Sequence, residues 1–152
     1  MTDTRSGVCT SPAGTAARRP RWEIRLGRIA HGLLIAAWLG AFTATHIPAE
    51  RLRGLEAGDK TLHLVGFAAL SSLLWTVLIF RRWPLWRRLL LVLATMPIYA
   101  ALDELTQPLP PFHRSGDIRD WVFDCLGAIL SVCLLEAAWR LGRMWVARKK
   151  KT

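Results

Sequence analysis

Residues 63–80 read "HLVGFAALSSLLWTVLIF", eighteen positions whose only titratable side chain is the histidine at the start. A soluble helix of this length carries a polar face, and no rotation of this one finds any. At about 1.5 Å per residue the stretch reaches roughly 27 Å, close to the ~30 Å of a bilayer's hydrocarbon core. It reads as a membrane-crossing helix, because lipid offers the backbone no other hydrogen-bond partners.

Three more stretches of the same kind lie around it: Ile29–Ile47, Leu89–Gln107 and Trp121–Trp139. Hydrophobic residues make up 52% of the chain, yet its net charge is +10, so the oil is concentrated in segments and the charge lies between them. A chain of 152 residues holds one domain at most. The expected fold is all-α: a compact bundle of four transmembrane helices over residues 23–145. A disordered basic cytoplasmic tail, 1–22, precedes it, and a second basic cytoplasmic tail, 146–152, follows. A soluble four-helix bundle competes with this reading, but the spans lack the polar outer faces it requires. A cleaved signal peptide competes for the first span; its length and the want of a small-residue cleavage site favour a retained anchor. Three cysteines, an odd number, give no disulfide framework.

Sixteen Lys and Arg lie before the first span, between the second and third, and after the fourth, against five on the other side. Both termini are therefore expected in the cytoplasm, N-in and C-in. This distribution accounts for the basic character without nucleic acid; the polybasic "ARKKK" end is expected to meet anionic lipid head groups. The eight tryptophans mostly flank span ends and read as an interfacial belt.

With that topology the unusual polar residues converge near the outer interface. The second span begins with "GDKTLHLVGF", the third ends in "ALDELTQ", and the fourth begins with "DIRDWVFDCLG". Asp59, His63 and Phe67 recur every four residues and share a face. Asp103 and Gln107 are likewise four apart, with Glu104 about 100° around the helix from Asp103, so that one of these two acids is expected to face loop or water. Asp117, Asp120, Asp124, Gly127 and Ser131 form one stripe, which must face protein or water rather than lipid. Gly127 on that stripe admits a close neighbouring helix, and Pro97 is placed to bend the third helix.

Six acids (Asp59, Asp103, Glu104, Asp117, Asp120, Asp124) face three fixed bases, Lys60, Arg114 and Arg119. Such a surplus beside a low-dielectric region is relieved by protons or by a cation. The expected cation site, a divalent metal or a ligand amine, uses Asp103, Asp120 and Asp124 with His63 alongside. Lys60 and Arg114 are expected to neutralise part of the cluster through ion pairs, which would also fix helix register.

The joint pattern of "DKTLHLVGF", "DELTQ", an arginine and "DWVFDCLG" resembles the VanZ-like family of small bacterial integral membrane proteins. The match runs through Asp59, Lys60, His63 and Phe67; Asp103, Glu104 and Gln107; Arg114; and Asp120, Asp124 and Gly127. The chain departs from the family pattern in its loop, where Phe112 and His113 separate Pro111 from Arg114, and at Asp124, where asparagine is common. The resemblance implies a multi-pass protein of the bacterial cytoplasmic membrane with a role in the cell envelope. The family's name member is linked to low-level resistance to the glycopeptide teicoplanin.

Three classes of function fit these residues. The first is an accessory or binding protein for an envelope lipid, a precursor or a glycopeptide. The second is a membrane-embedded enzyme using a metal or an acid–base pair, with Asp59, His63, Asp103, Glu104, Asp120 and Asp124 as catalytic candidates. The third, an ion or proton pathway, lacks an inner half: Glu136 is the only acid at the cytoplasmic side of any span. The absence of HExxH or a similar motif places binding ahead of catalysis.

Overall fold

The computed structural model describes residues 19–47, 59–110 and 116–149. These residues form four helices and no strand: α1 (Arg21–Thr45), α2 (Asp59–Phe80), α3 (Leu85–Thr106) and α4 (Ile118–Lys149). Each helix is long and apolar enough to cross a membrane.

All four helices begin before the apolar stretches read from the sequence. α1 starts eight residues before Ile29, directly after Pro20, whose extended backbone turns the chain into the helix. α3 starts after Pro84 in the same manner. Proline suits this boundary because its missing N–H falls where a helix has no internal acceptor for one. α4 continues ten residues beyond Trp139 to Lys149, carrying Arg140, Arg143 and Arg148 along a projecting end. Its 32 residues reach roughly 48 Å, well past a hydrocarbon core of about 30 Å.

The turn between α2 and α3 is tight. Trp83 N–H bonds the Leu78 carbonyl at 3.2 Å and Arg82 N–H bonds that of Ile79 at 2.8 Å. This is a Schellman ending, with Arg82 at φ 58° in the left-handed position glycine usually fills. The Arg82 guanidinium is tied to Glu23 of α1 at 2.8 and 3.2 Å.

α2 sits at the centre and touches the other three helices. Phe67, Leu70, Trp75, Val77 and Leu78 on α2 pack with Val92, Met96 and Ala100 on α3 and Ala128 and Val132 on α4. α4 lies so close to α2 that a Cβ added to Gly127 would collide with the Leu64 carbonyl oxygen and stand 3.0 Å from its carbon. The outer surface is apolar instead: Leu39, Leu62, Leu105 and Leu134 are each more than 60% exposed. Oil outside and polar groups inside is the arrangement a bilayer selects.

Two tryptophans do not belong to an interfacial belt. Trp75 is fully buried in the core, and Trp38 packs edge-on against Tyr99 with ring centroids 5.1 Å apart. Trp121 donates its ring N–H to the Pro97 carbonyl at 3.0 Å, joining α3 to α4. Of the others described, Trp22, Trp83, Trp86 and Trp145 are exposed and near helix ends, and Trp139 is exposed ten residues before the end of α4.

Candidate functional site

Because the helices alternate in direction, the C-termini of α1 and α3 meet the N-termini of α2 and α4 at one end of the bundle. The carboxylates there divide into two groups on either side of α3. Asp103, buried, faces α1: Oδ1 accepts from the Thr45 hydroxyl at 2.8 Å, and Oδ2 accepts from the Gln107 amide at 3.1 Å. His46 completes this side, its Nδ1 3.8 Å from Asp103 Oδ1 and donating to the Phe42 carbonyl at 2.8 Å. These donors offset the placement of a carboxylate at a helix C-terminus, where the backbone dipole is unfavourable to negative charge.

Glu104 faces the other way, into α2 and α4. Neither acid turns to loop or water: Glu104 is buried as Asp103 is, its Oε2 accepting the Asp117 backbone N–H at 2.8 Å. Gly116 makes this approach practicable: a Cβ there would stand 2.6 Å from the Glu104 carbonyl oxygen. Beside Glu104, His63 Nδ1 lies 3.0 Å from Asp124 Oδ1 and 3.9 Å from Glu104 Oε1. Lys60 donates to Asp120 at 3.1 Å and to Asp117 at 3.4 Å. Asp117 stands just before α4, where its carboxylate accepts the Arg119 N–H at 2.8 Å as a capping group does. That N–H first, and then the Lys60 ammonium, hold Asp117 below the usual carboxylate value.

One ligand atom each from His63, Glu104 and Asp120, all buried, lies within 4.8 Å of the other two. Metal ions bind nitrogen and oxygen at about 2.0–2.6 Å, so opposed ligands stand roughly 4–5 Å apart and this trio is close to spanning one ion. The trio differs from the set expected from the sequence. Asp103 is directed to α1 and committed to Thr45 and Gln107, while Glu104, one residue on and about 100° around the helix, takes its place. Asp124 holds the His63 ring, the part a second carboxylate commonly takes behind a metal-binding histidine.

Two polar atoms at this end have no hydrogen-bond partner among the described residues: Asp124 Oδ2, on a fully buried side chain, and the Tyr99 hydroxyl. Buried polar atoms are nearly always paired, so an orphaned carboxylate oxygen marks a place for a ligand, a proton or water. Tyr99 and Thr45 were not singled out in the sequence. Tyr99, the chain's one tyrosine, precedes Asp103 by one turn and packs against Phe67 at 5.5 Å, and that i, i+4 relation was the available signal. Arg114 and the Asp59 side chain lie outside the described residues.

An all-helical, multi-pass arrangement of apolar helices around a buried ionisable cluster defines a polytopic membrane protein with a polar site at one end. The sequence model of the VanZ/LLP1 family matches residues 15–139, most of the chain, and the protein belongs to that family. No curated protein and no solved structure matches it.

Proposed function

We propose that this protein is a cell-envelope component of the bacterial cytoplasmic membrane whose buried acidic end faces outward and binds a cationic group. The bound species is a divalent metal or the amine of an envelope ligand, such as a lipid, a precursor or a glycopeptide. One observation carries this reading: Asp124 Oδ2 is buried without a partner, beside a His63–Glu104–Asp120 trio. Among the described residues, five carboxylates at this end (Asp103, Glu104, Asp117, Asp120, Asp124) are met by only two fixed cations, Lys60 and Arg119. Lys60 reaches only the outer pair, Asp117 and Asp120. The inner acids still need positive charge. The outward orientation rests on the Lys and Arg distribution.

The His63–Asp124 pair supports a second reading, a membrane-embedded enzyme acting on an envelope lipid or precursor, since a carboxylate-oriented imidazole is a common general base. The two readings separate on turnover.

The test is thermal stability of the purified protein against Mg²⁺, Ca²⁺, Mn²⁺ and Zn²⁺, with elemental analysis. A bound ion at a hundredfold its Kd stabilises by about 2.7 kcal/mol, and Glu104→Gln should abolish that response. If no ion stabilises the protein and none co-purifies, the metal version fails and the amine version remains, to be tested with primary amines in the same assay.

A further inference from the structure

At the opposite end of the bundle a groove of about 540 Å³ runs between α1 and α2, from Arg19 to Ile35. Its mouth is basic, with Arg28, Arg81 and His31, and its inner stretch is apolar, with Ile35 and Val77. Glu23, the acid of the lining, is engaged by Arg82. Arg81 shares a hydrogen bond with His31 at 3.3 Å, and Arg28 has no acidic partner among the described residues. Gly32 keeps the apolar stretch open, since a Cβ there would meet nothing within 4 Å.

We propose that this groove is a binding site for an anionic phospholipid, with its phosphate held by Arg28 and Arg81 and an acyl chain laid over Gly32 toward Ile35. Charge supports this occupant: the mouth has surplus positive charge, and Glu23, the one acid lining it among the described residues, is already paired. Spacing along α1 agrees with it. Ile35 lies seven residues beyond Arg28, roughly 10 Å along the helix, so a phosphate at Arg28 sets the upper part of an acyl chain against Gly32 and Ile35. The groove is thus polar where the head group lies and apolar where the chain begins. Arginine suits the task because its planar fork matches phosphate oxygens.

Thermal stability of the full chain in neutral detergent, titrated with phosphatidylglycerol, phosphatidylcholine of the same chains, or inorganic phosphate, tests this. Phosphatidylglycerol should stabilise at a concentration roughly thirtyfold lower than phosphatidylcholine. That figure follows from about 1 kcal/mol per basic residue near an anionic lipid surface and about 1.4 kcal/mol per tenfold. Inorganic phosphate should have little effect. The preference should be lost in R28Q/R81Q and both lipids weakened in Gly32→Leu, which fills the groove without touching its charges, while Arg148→Gln should retain it. Equal stabilisation by the two lipids, full stabilisation by phosphate alone, or an unchanged response of Gly32→Leu would overturn the proposal. Loss of the preference in Arg148→Gln would do so too, by showing a diffuse charge effect.

Discussion

The two ends of the bundle both bury charge, and they balance it differently. At the end formed by the α1 N-terminus and the α2 C-terminus, Arg88 of α3 is buried over the Trp75 ring, its guanidinium carbon 4.6 Å from the centroid. It pairs with Glu136 of α4 at 3.6 Å, and Glu136 in turn accepts from Arg140 at 3.0 Å. One carboxylate there meets two guanidiniums, and one of these also lies over an aromatic face. At the opposite end carboxylates outnumber cations, and Asp124 keeps an oxygen unpartnered. Burial of charge alone therefore does not mark a site. Nor does an orphaned atom alone: Arg88 Nε and Glu136 Oε2 also lack hydrogen-bond partners, but Glu136 Oε2 lies 3.6 Å from a guanidinium, whereas Asp124 Oδ2 stands among surplus carboxylates.

The largest expected effect tests whether the acidic end is also the structurally demanding one. In Gly127→Ala the added carbon meets Leu64 backbone, which cannot rotate away as a side chain could. A loss of about 3 kcal/mol or more, the upper range for overpacking, is expected in thermal melts. Gly142→Ala, on the same helix toward its far end, meets nothing within 4 Å and should be neutral or slightly stabilising. Equal effects at the two glycines would show that α2 and α4 are not held close by Gly127.

Removing one acid at each end tests the contrast in charge directly. Glu136→Gln leaves Arg88 buried with its partner weakened, and should cost about 3 kcal/mol, the low end for breaking a buried pair. Asp124→Asn in metal-free protein removes surplus negative charge and should be neutral or stabilising, although it should abolish stabilisation by a cation. If Asp124→Asn destabilises metal-free protein as much as Glu136→Gln does, the acidic end is balanced internally and the cation-binding reading is lost.

How legible this was in the sequence follows from the same contrast. The four spans and the acidic convergence could be read because lipid tolerates few polar residues, so each one within an apolar stretch is informative. The partition between Asp103 and Glu104 could not. They are adjacent, and the choice of which faces α4 depends on the roll of α3 against its neighbours. Arg88 was hidden for another reason: in "RRWPLWRR" it looks like one more interfacial arginine. Only the start of α3 at Leu85, fixed by Pro84, puts it a turn inside the helix, where Trp75 and Glu136 can reach it. Arg87, its neighbour, stays exposed.

A smaller effect concerns acid. Asp117 is held below its ordinary value of 3.8 by the Arg119 N–H and by Lys60. A depressed carboxylate contributes stability above its unfolded pKa and loses it as pH falls through the lower folded one. The wild-type melting temperature should thus decline below about pH 4, and the decline should be shallower in Asp117→Asn, which keeps the cap but cannot titrate. A parallel decline in the variant would show that the acid sensitivity arises elsewhere in the cluster.

The smallest effect is expected at Arg82, where two contributions oppose each other. Its left-handed backbone, φ 58°, disfavours any residue with a Cβ, and glycine would relieve this. The same substitution removes the pair with Glu23, which is half exposed on the arginine side and so screened by water and salt. The two changes have opposite signs and similar size, so Arg82→Gly should shift the melting temperature by less than about 3 °C. Glu23→Gln removes the pair while leaving the backbone strained, so it should lower the melting temperature below that of Arg82→Gly. If Arg82→Gly is instead the more damaging of the two, the guanidinium does more than close a turn, and the basic end has a requirement for Arg82 that the Glu23 pair does not supply.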